Sequence, residues 1–66
     1  MEDFKQRVID EKTALDEKFK ALNVFMASDT FKSLDAEEQG LLRQQALAMF
    51  NYSNALAARI GRWKQA

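Results

Sequence analysis

The sequence contains no cysteine, no histidine and no proline, and it has only two glycines. Without cysteine there is no disulfide and no thiol chemistry. Without histidine, the common structural zinc sets and the Ser-His or Cys-His nucleophile pairs cannot be assembled. The chain also has no Gly-rich phosphate loop and no EF-hand spacing. We therefore expect a protein that is not an enzyme and that uses neither a metal nor a cofactor.

Net charge and long apolar runs are absent as well. Ten basic residues balance ten acidic ones, whereas a general nucleic-acid-binding protein normally carries a basic excess. No apolar run approaches the roughly 20 residues of a membrane-spanning helix, and the charged start MEDFKQRV does not fit a signal peptide. We expect a soluble, cytoplasmic protein without a membrane partner.

The length of 66 residues predicts one domain, residues 1–66. A chain this short buries only about 60% of its unfolded surface, so its stability is marginal without reinforcement. Disulfides, a metal or oligomerisation are the usual reinforcements of small domains. Since oligomerisation is what this composition leaves, we predict that the protein associates with itself.

Strong helix formers dominate the composition and predict an all-α fold of two long antiparallel helices, a helical hairpin that assembles into an oligomeric bundle. Helix one is predicted over about residues 2–27, because apolar residues recur there at helical spacings. The apolar stripe consists of Phe4, Val8, Leu15, Leu22 and Phe25 or Met26. The large apolar residues of both helices exceed what one partner helix can cover, which would leave Phe4, Phe19, Phe25, Phe50 and Trp63 exposed.

The connection is predicted over residues 28–35. Ser28 is a plausible N-cap of a short turn, and Asp35 with Glu38 forms a capping box that opens helix two. Phe31 and Leu34 are expected to fold back and close this end of the hairpin. Helix two then spans about residues 36–62, with Gly61 marking its end. Its predicted heptad line is Leu42, Gln45, Met49, Tyr52, Leu56, Arg59 and Trp63.

Polar residues occupy several predicted heptad positions: Glu11, Lys18, Gln45, Tyr52 and Arg59. One interpretation is structural, with Glu11 and Arg59 paired between the helices. The other is a polar cavity between protomers in which Arg or Lys binds phosphate and an aromatic ring stacks on a base. The residues that suit such a cavity are Phe4, Arg7, Lys18, Gln45, Tyr52 and Arg59. Residues 40–66 carry four basic and no acidic residues, which fits either an anion pocket or a helix packed beside the more acidic first half.

Two strings of residues carry a resemblance to known proteins: RV..EK..L..K...L..F, followed by F..L...EQ.LL..Q..AM..Y...L..RI. They cover about residues 7–60 and resemble a group of small tailed-phage proteins of the crAss-like type, which implies a bacterial host cytosol. More remotely, the layout is similar to the helical-hairpin domain of phage anti-CBASS and anti-Thoeris sponge proteins. Those proteins form symmetric oligomers and sequester cyclic nucleotides without cleaving them. Their signature is a tyrosine and a lysine, at whose places stand Phe4 and either Lys18 or Lys20.

Three functions fit these observations. The first is a phage counter-defence protein that holds a cyclic nucleotide between protomers. The second is an oligomeric protein-interaction module that binds a host or phage protein through an outer face rich in phenylalanine. The third is a structural or nucleic-acid accessory role through the basic C-terminal end. A nucleotide should stabilise the first thermally, whereas the second should respond only to a protein.

Overall fold

A computed structural model describes the backbone of residues 3–65 and the side chains of residues 4–63. It contains three helices: α1, Asp3–Met26; α2, Asp29–Lys32; and α3, Ala36–Gln65. The long helices α1 and α3 pack side by side in opposite directions, giving a rod of 48 × 14 × 14 Å. No strand occurs in the described part of the chain. The predicted all-α hairpin is confirmed.

The predicted end of helix one and the predicted start of helix two lie within one residue of the observed ones. The predicted start of helix one, residue 2, lies outside the described residues. The predicted end of helix two at residue 62 is wrong, because α3 continues through Gly61 to Gln65. A glycine ends a helix where it adopts a left-handed conformation, and Gly61 does not adopt one. Instead Trp63 packs edge-on against Phe4, with ring centroids 5.4 Å apart, and holds the last turns of α3 on α1.

The connection between the long helices forms as predicted. Ser28 Oγ accepts a hydrogen bond from the Phe31 N–H at 3.2 Å and thereby caps α2. Asp35 Oδ1 accepts one from the Glu38 N–H at 2.8 Å and caps α3. These bonds satisfy N–H groups that the first helical turns leave without a partner. Phe31 is 5% exposed and Leu34 is half-buried, so both close the end of the hairpin.

A glutamine that the sequence did not single out fastens this connection. Gln39 Nε2 lies 2.9 Å from the carbonyl oxygen of Leu34, 3.1 Å from that of Phe31 and 3.3 Å from that of Lys32. Its two N–H groups are shared among these three carbonyls, of which that of Phe31 also accepts a backbone hydrogen bond from the Leu34 N–H. The Arg43 guanidinium lies over the Phe31 ring, 5.3 Å from its centroid, and covers it from α3. The first two turns of α3 are thus bonded to the turn that precedes them.

The core is narrow. Val8, Leu15 and Leu56 form its buried cluster, and Met49, Ile60 and Trp63 pack against them. Leu15 and Leu56 are buried as the sequence predicted, whereas Leu22 and Met49 are only half-buried. A hairpin of two helices covers one stripe of each helix, so residues toward the edges of the stripe keep part of their surface in water.

The predicted heptad line of α3 is wrong at every second position. The line that faces α1 is Leu42, Ala46, Met49, Ser53, Leu56, Ile60 and Trp63, none of which is exposed. The neighbouring residues Gln45, Tyr52 and Arg59 are exposed instead. The predicted and the observed lines share every seventh residue. They differ at the positions between, where the size and polarity of the side chains decide which line packs against α1. Small Ala46 and Ser53 let the helices approach closely, and apolar Ile60 replaces a charged neighbour.

Aromatic pairing covers part of the surface that was expected to be exposed. Phe19 pairs with Phe50 at a centroid distance of 6.1 Å, and Phe25 pairs with Phe31 at 6.2 Å. As a result Phe19, Phe25 and Trp63 are half-buried, and of the five expected rings only Phe4 and Phe50 stay exposed, at 46% and 49%. Neither long helix combines the length and the apolarity that crossing a membrane requires, within the part of the chain described.

Truncating the core should be costly. Leu56→Ala removes the most buried side chain of the hairpin, which is 2% exposed, and should lower the free energy of unfolding by about 2–5 kcal/mol. Leu47→Ala is the matched control, because Leu47 is 60% exposed on the same helix and should change stability by less than about 0.5 kcal/mol. Urea denaturation followed by circular dichroism, at equal protein concentrations, measures both. Equal losses for the two variants would contradict the packing described.

The hydrogen bonds of Gln39 should contribute measurably to the free energy of unfolding. Gln39→Ala removes the amide donor that three carbonyl oxygens share and should lower the free energy of unfolding by about 1–2 kcal/mol. Gln44→Ala is the same chemical change at an exposed position of the same helix, so it controls for helix propensity. The same denaturation experiment applies, and a Gln39→Ala variant as stable as Gln44→Ala would show that the contact contributes nothing.

Candidate functional site

The six residues predicted to bind a ligand lie on one side of the hairpin, and all six are exposed. On the opposite side, contacts between the helices are fixed by Asp16 with Ser53 and by Phe19 with Phe50. One step along a helix turns about 100°, so Tyr52 points to the other side from Ser53. We call this side the polar flank; it carries Phe4, Arg7, Glu11, Lys18, Gln45, Tyr52 and Arg59.

The cations of the polar flank have no acidic partner. The ion pairs among the described residues are Lys12 with Asp16 and Lys32 with Asp29. The predicted pair of Glu11 with Arg59 is therefore not formed. Arg7, Lys18 and Arg59 keep their N–H donors directed to solvent, and Glu11 is the one acid among them on this flank. Guanidinium and ammonium groups in this state are suited to charge-assisted hydrogen bonds with phosphate oxygens.

Aromatic rings accompany these cations. Phe4 is 46% exposed and Tyr52 is 45% exposed, so each keeps ring surface available for stacking. Trp63, the third ring considered in the sequence, is half-buried. Its surroundings are already occupied, since Phe4 meets it edge-on and Lys5 Nζ lies 5.8 Å from its centroid. Trp63 therefore positions Phe4 and is itself a poor stacking platform.

The polar flank is an open surface, because the described residues enclose no cavity. They also hold no group of three or more His, Cys, Asp or Glu side chains placed to bind a metal ion. On an open surface a cation is screened by water and binds an anion weakly. A second wall would be needed to exclude water from these side chains.

The opposite flank carries a polar contact that the sequence analysis missed. Lys12 Nζ lies 2.6 Å from Asp16 Oδ2, and Ser53 Oγ donates a hydrogen bond of 2.6 Å to Asp16 Oδ1. The Lys12 bond, followed by the Ser53 bond, holds the pKa of Asp16 below its ordinary value, against a smaller opposing effect of desolvation. The spacing of Lys12 and Asp16 was visible as a helical i,i+4 pair. Ser53 is 37 residues away, and nothing local marks it.

The fold is that of a small all-α protein, a helical hairpin. Its candidate site is an exposed surface that carries cations and aromatic rings. The family model described as Sequestin matches residues 2–62, a range that includes every residue of the polar flank. The chain belongs to the Sequestin family, whose name indicates a sequestering function. No curated protein and no solved structure matches the chain.

The contact around Asp16 should give stability a specific dependence on pH. Because the pKa of Asp16 is lower in the folded chain than in the unfolded one, where it is about 3.9, the stabilisation is complete above that pH. It is lost as the pH falls through the pKa of Asp16 in the folded chain.

Asp16→Asn should therefore flatten the decline of stability below about pH 4. Asp10→Asn is the control, since Asp10 accepts a hydrogen bond from Gln6 on its own helix. Thermal melts between pH 2 and 6 decide, and parallel curves for wild type and Asp16→Asn would refute the role of this carboxylate.

Proposed function

We propose that this protein sequesters a cyclic nucleotide immune signal without cleaving it. It acts as a homo-oligomer whose polar flanks wall pockets between protomers, in the cytosol of a bacterial host infected by a phage that uses it as a counter-defence protein. It is not an enzyme, because sequestration needs affinity alone. The observation that carries the proposal is the set of unpaired cations and exposed rings on one flank of a chain in the Sequestin family.

Each part of a nucleotide has a suitable counterpart on this flank. The phosphates would accept hydrogen bonds from Arg7, Arg59 and Lys18, because charge-assisted bonds are about twice as strong as neutral ones. A base would stack on Phe4 or Tyr52, whose exposed rings offer flat apolar surface. The Gln45 amide carries both donors and an acceptor and would bond to a base edge.

The shape of the chain supports association with further copies. A compact monomer of 7.6 kDa has an accessible surface of about 4,300 Å², whereas this hairpin exposes 5107 Å². The excess of about 800 Å² equals the share of one partner in a standard protein interface. The radius of gyration points the same way, since it is 15.1 Å against about 11 Å for a compact domain of this length.

A protein-interaction module is the second candidate function. Val24, Leu47 and Phe50 are 67%, 60% and 49% exposed, and they lie away from the polar flank. Large apolar side chains on such a surface favour contact with another protein. This function predicts that binding depends on these residues and that no small anion stabilises the chain.

Nucleotide binding should depend on the cations of the polar flank. Arg59→Ala and Lys18→Ala should each weaken the binding of a cyclic nucleotide by about 10- to 100-fold, or roughly 1.5–3 kcal/mol, because one charged donor is lost from a phosphate. Arg62→Ala and Lys20→Ala are the matched controls; both residues are exposed and lie off this flank. A panel of cyclic nucleotides is screened by thermal shift, and hits are titrated calorimetrically.

Two outcomes would contradict the proposed function. If no cyclic nucleotide shifts the melting temperature at saturating concentration, the chain does not sequester this class of ligand, and the interaction module becomes the better explanation. If a nucleotide is recovered in altered form after incubation and denaturation of the protein, the chain is an enzyme. Chromatography of the recovered ligand tests the second point.

A further inference from the structure

The residues of the polar flank lie at different levels along the length of the hairpin. Cross-helix contacts place Phe4 beside Trp63, Asp16 beside Ser53 and Phe19 beside Phe50, so residue numbers of facing positions add up to between 67 and 69. By this register Arg59 lies level with residues 8–10 of α1, and Gln45 with residues 22–24. At 1.5 Å per residue the flank extends over about 30 Å from Phe4 to Gln45.

The division separates two sets of groups. The open end of the hairpin carries Phe4, Arg7 and Arg59, and the half near the turn carries Lys18, Tyr52 and Gln45. Neither set offers two planes for stacking, and neither combines the amide with the arginines. One ligand cannot reach all six groups on a single chain, because Phe4 and Gln45 lie about 30 Å apart along the hairpin.

A reversed second copy removes this separation. We infer that two chains dock through their polar flanks with their turns at opposite ends, about a two-fold axis that crosses α1 between Ala14 and Leu15. In this arrangement α1 lies against α1 of the partner and α3 against its α3, and the contact is isologous. The inference rests on the proposed function for the identity of the ligand, but the docking itself does not require one.

Charge complementarity selects this arrangement. Glu11 and Lys18 are equally distant from the axis, so Glu11 faces the partner's Lys18 on both sides of the interface. Within one chain the two side chains are seven residues, or about 10 Å, apart and do not pair. The alternative, with both turns at the same end, sets α1 against the partner's α3. It brings Arg7 level with the partner's Arg59 and leaves Lys18 without an acid to face, because residues 40–66 carry none. That alternative places cation on cation, which disfavours it.

The reversed docking assembles two identical sites. Each site combines Phe4, Arg7 and Arg59 of one chain with the partner's Lys18, Tyr52 and Gln45. The register brings these six groups within about 13 Å along the axis of the bundle. Three cations then face one acid, Glu11, so each site attracts a ligand with more than one negative charge. The expected stoichiometry is one ligand per chain and two per dimer.

A single introduced cysteine tests the docking without any ligand. The chain has no cysteine of its own, so a disulfide can form only between copies. Ala14 is exposed and lies beside the axis, and facing helices 8–10 Å apart bring such positions within the Cα separation that a disulfide accepts. Ala14→Cys should give a covalent dimer under mild oxidation. Ala58→Cys, exposed on the far side of α3, should stay largely monomeric on a non-reducing gel. Equal or no crosslinking of the two variants would overturn the arrangement.

Charge reversal provides a second test that is independent of oxidation. Glu11→Lys and Lys18→Glu each place like charges across the interface and should weaken dimerisation by about 10-fold or more. The double variant restores opposite charges at both places and should recover most of the loss. Sedimentation equilibrium gives the dissociation constants, and circular dichroism confirms that each variant is helical. A double variant as weak as the sum of the single ones would overturn the pairing of Glu11 with the partner's Lys18.

The failure of this inference is distinguishable from the failure of the proposed function. If Ala14→Cys crosslinks and charge reversal behaves as expected while no nucleotide binds, the docking stands and the proposed ligand is wrong. If a nucleotide binds while neither test detects the reversed dimer, the ligand stands and the docking is wrong. A calorimetric stoichiometry of one ligand per dimer would likewise overturn the two identical sites.

Discussion

The whole structure depends on one line of close contact between two long helices. Leu56, the most buried residue, lies where α3 presses against Val8 and Leu15 of α1. Small side chains at Ala46 and Ser53 allow the helices to come near, but a pair of helices can bury only one stripe of each. Every other surface of the rod is necessarily a flank in contact with water. The candidate site exists on such a flank because the fold has no interior large enough to contain one.

The two flanks of this contact have different roles. One is fastened across the helices by Ser53 with Asp16 and by Phe19 with Phe50, so it sets the register of the hairpin. The other has no bond between helices in the described chain except the ring contact of Phe4 with Trp63 at its end. The unfastened flank keeps its cations and rings free. A hairpin held together on one side can thus present its other side to a ligand or to a second copy without losing its register.

The sequence was sufficient for the local structure. Helical spacing predicted the helices, and the caps at Ser28 and Asp35 were recognisable because capping depends on residues three positions apart. The rotation of α3 was not predictable from spacing alone, since two heptad lines shared Leu42, Met49 and Leu56. Choosing the wrong line made exposed polar residues look like core residues. They still form one coherent surface, because a line one residue away from the true contact runs along a single flank. The bond of Ser53 to Asp16 could not be foreseen, since it depends on the register of distant residues.

The tightly bonded turn also determines how the rod is assembled in time. Its caps and the Gln39 contact join residues close in sequence, so this end closes with little loss of chain entropy. We expect the two helices to pair next from the turn toward the open end, because the contact of Phe4 with Trp63 joins residues far apart in the sequence. The same end frays first when the hairpin opens. The half of the polar flank that carries Arg7 and Arg59 is consequently the last part to become ordered. A ligand bound there would also stabilise the end of the hairpin that frays most readily.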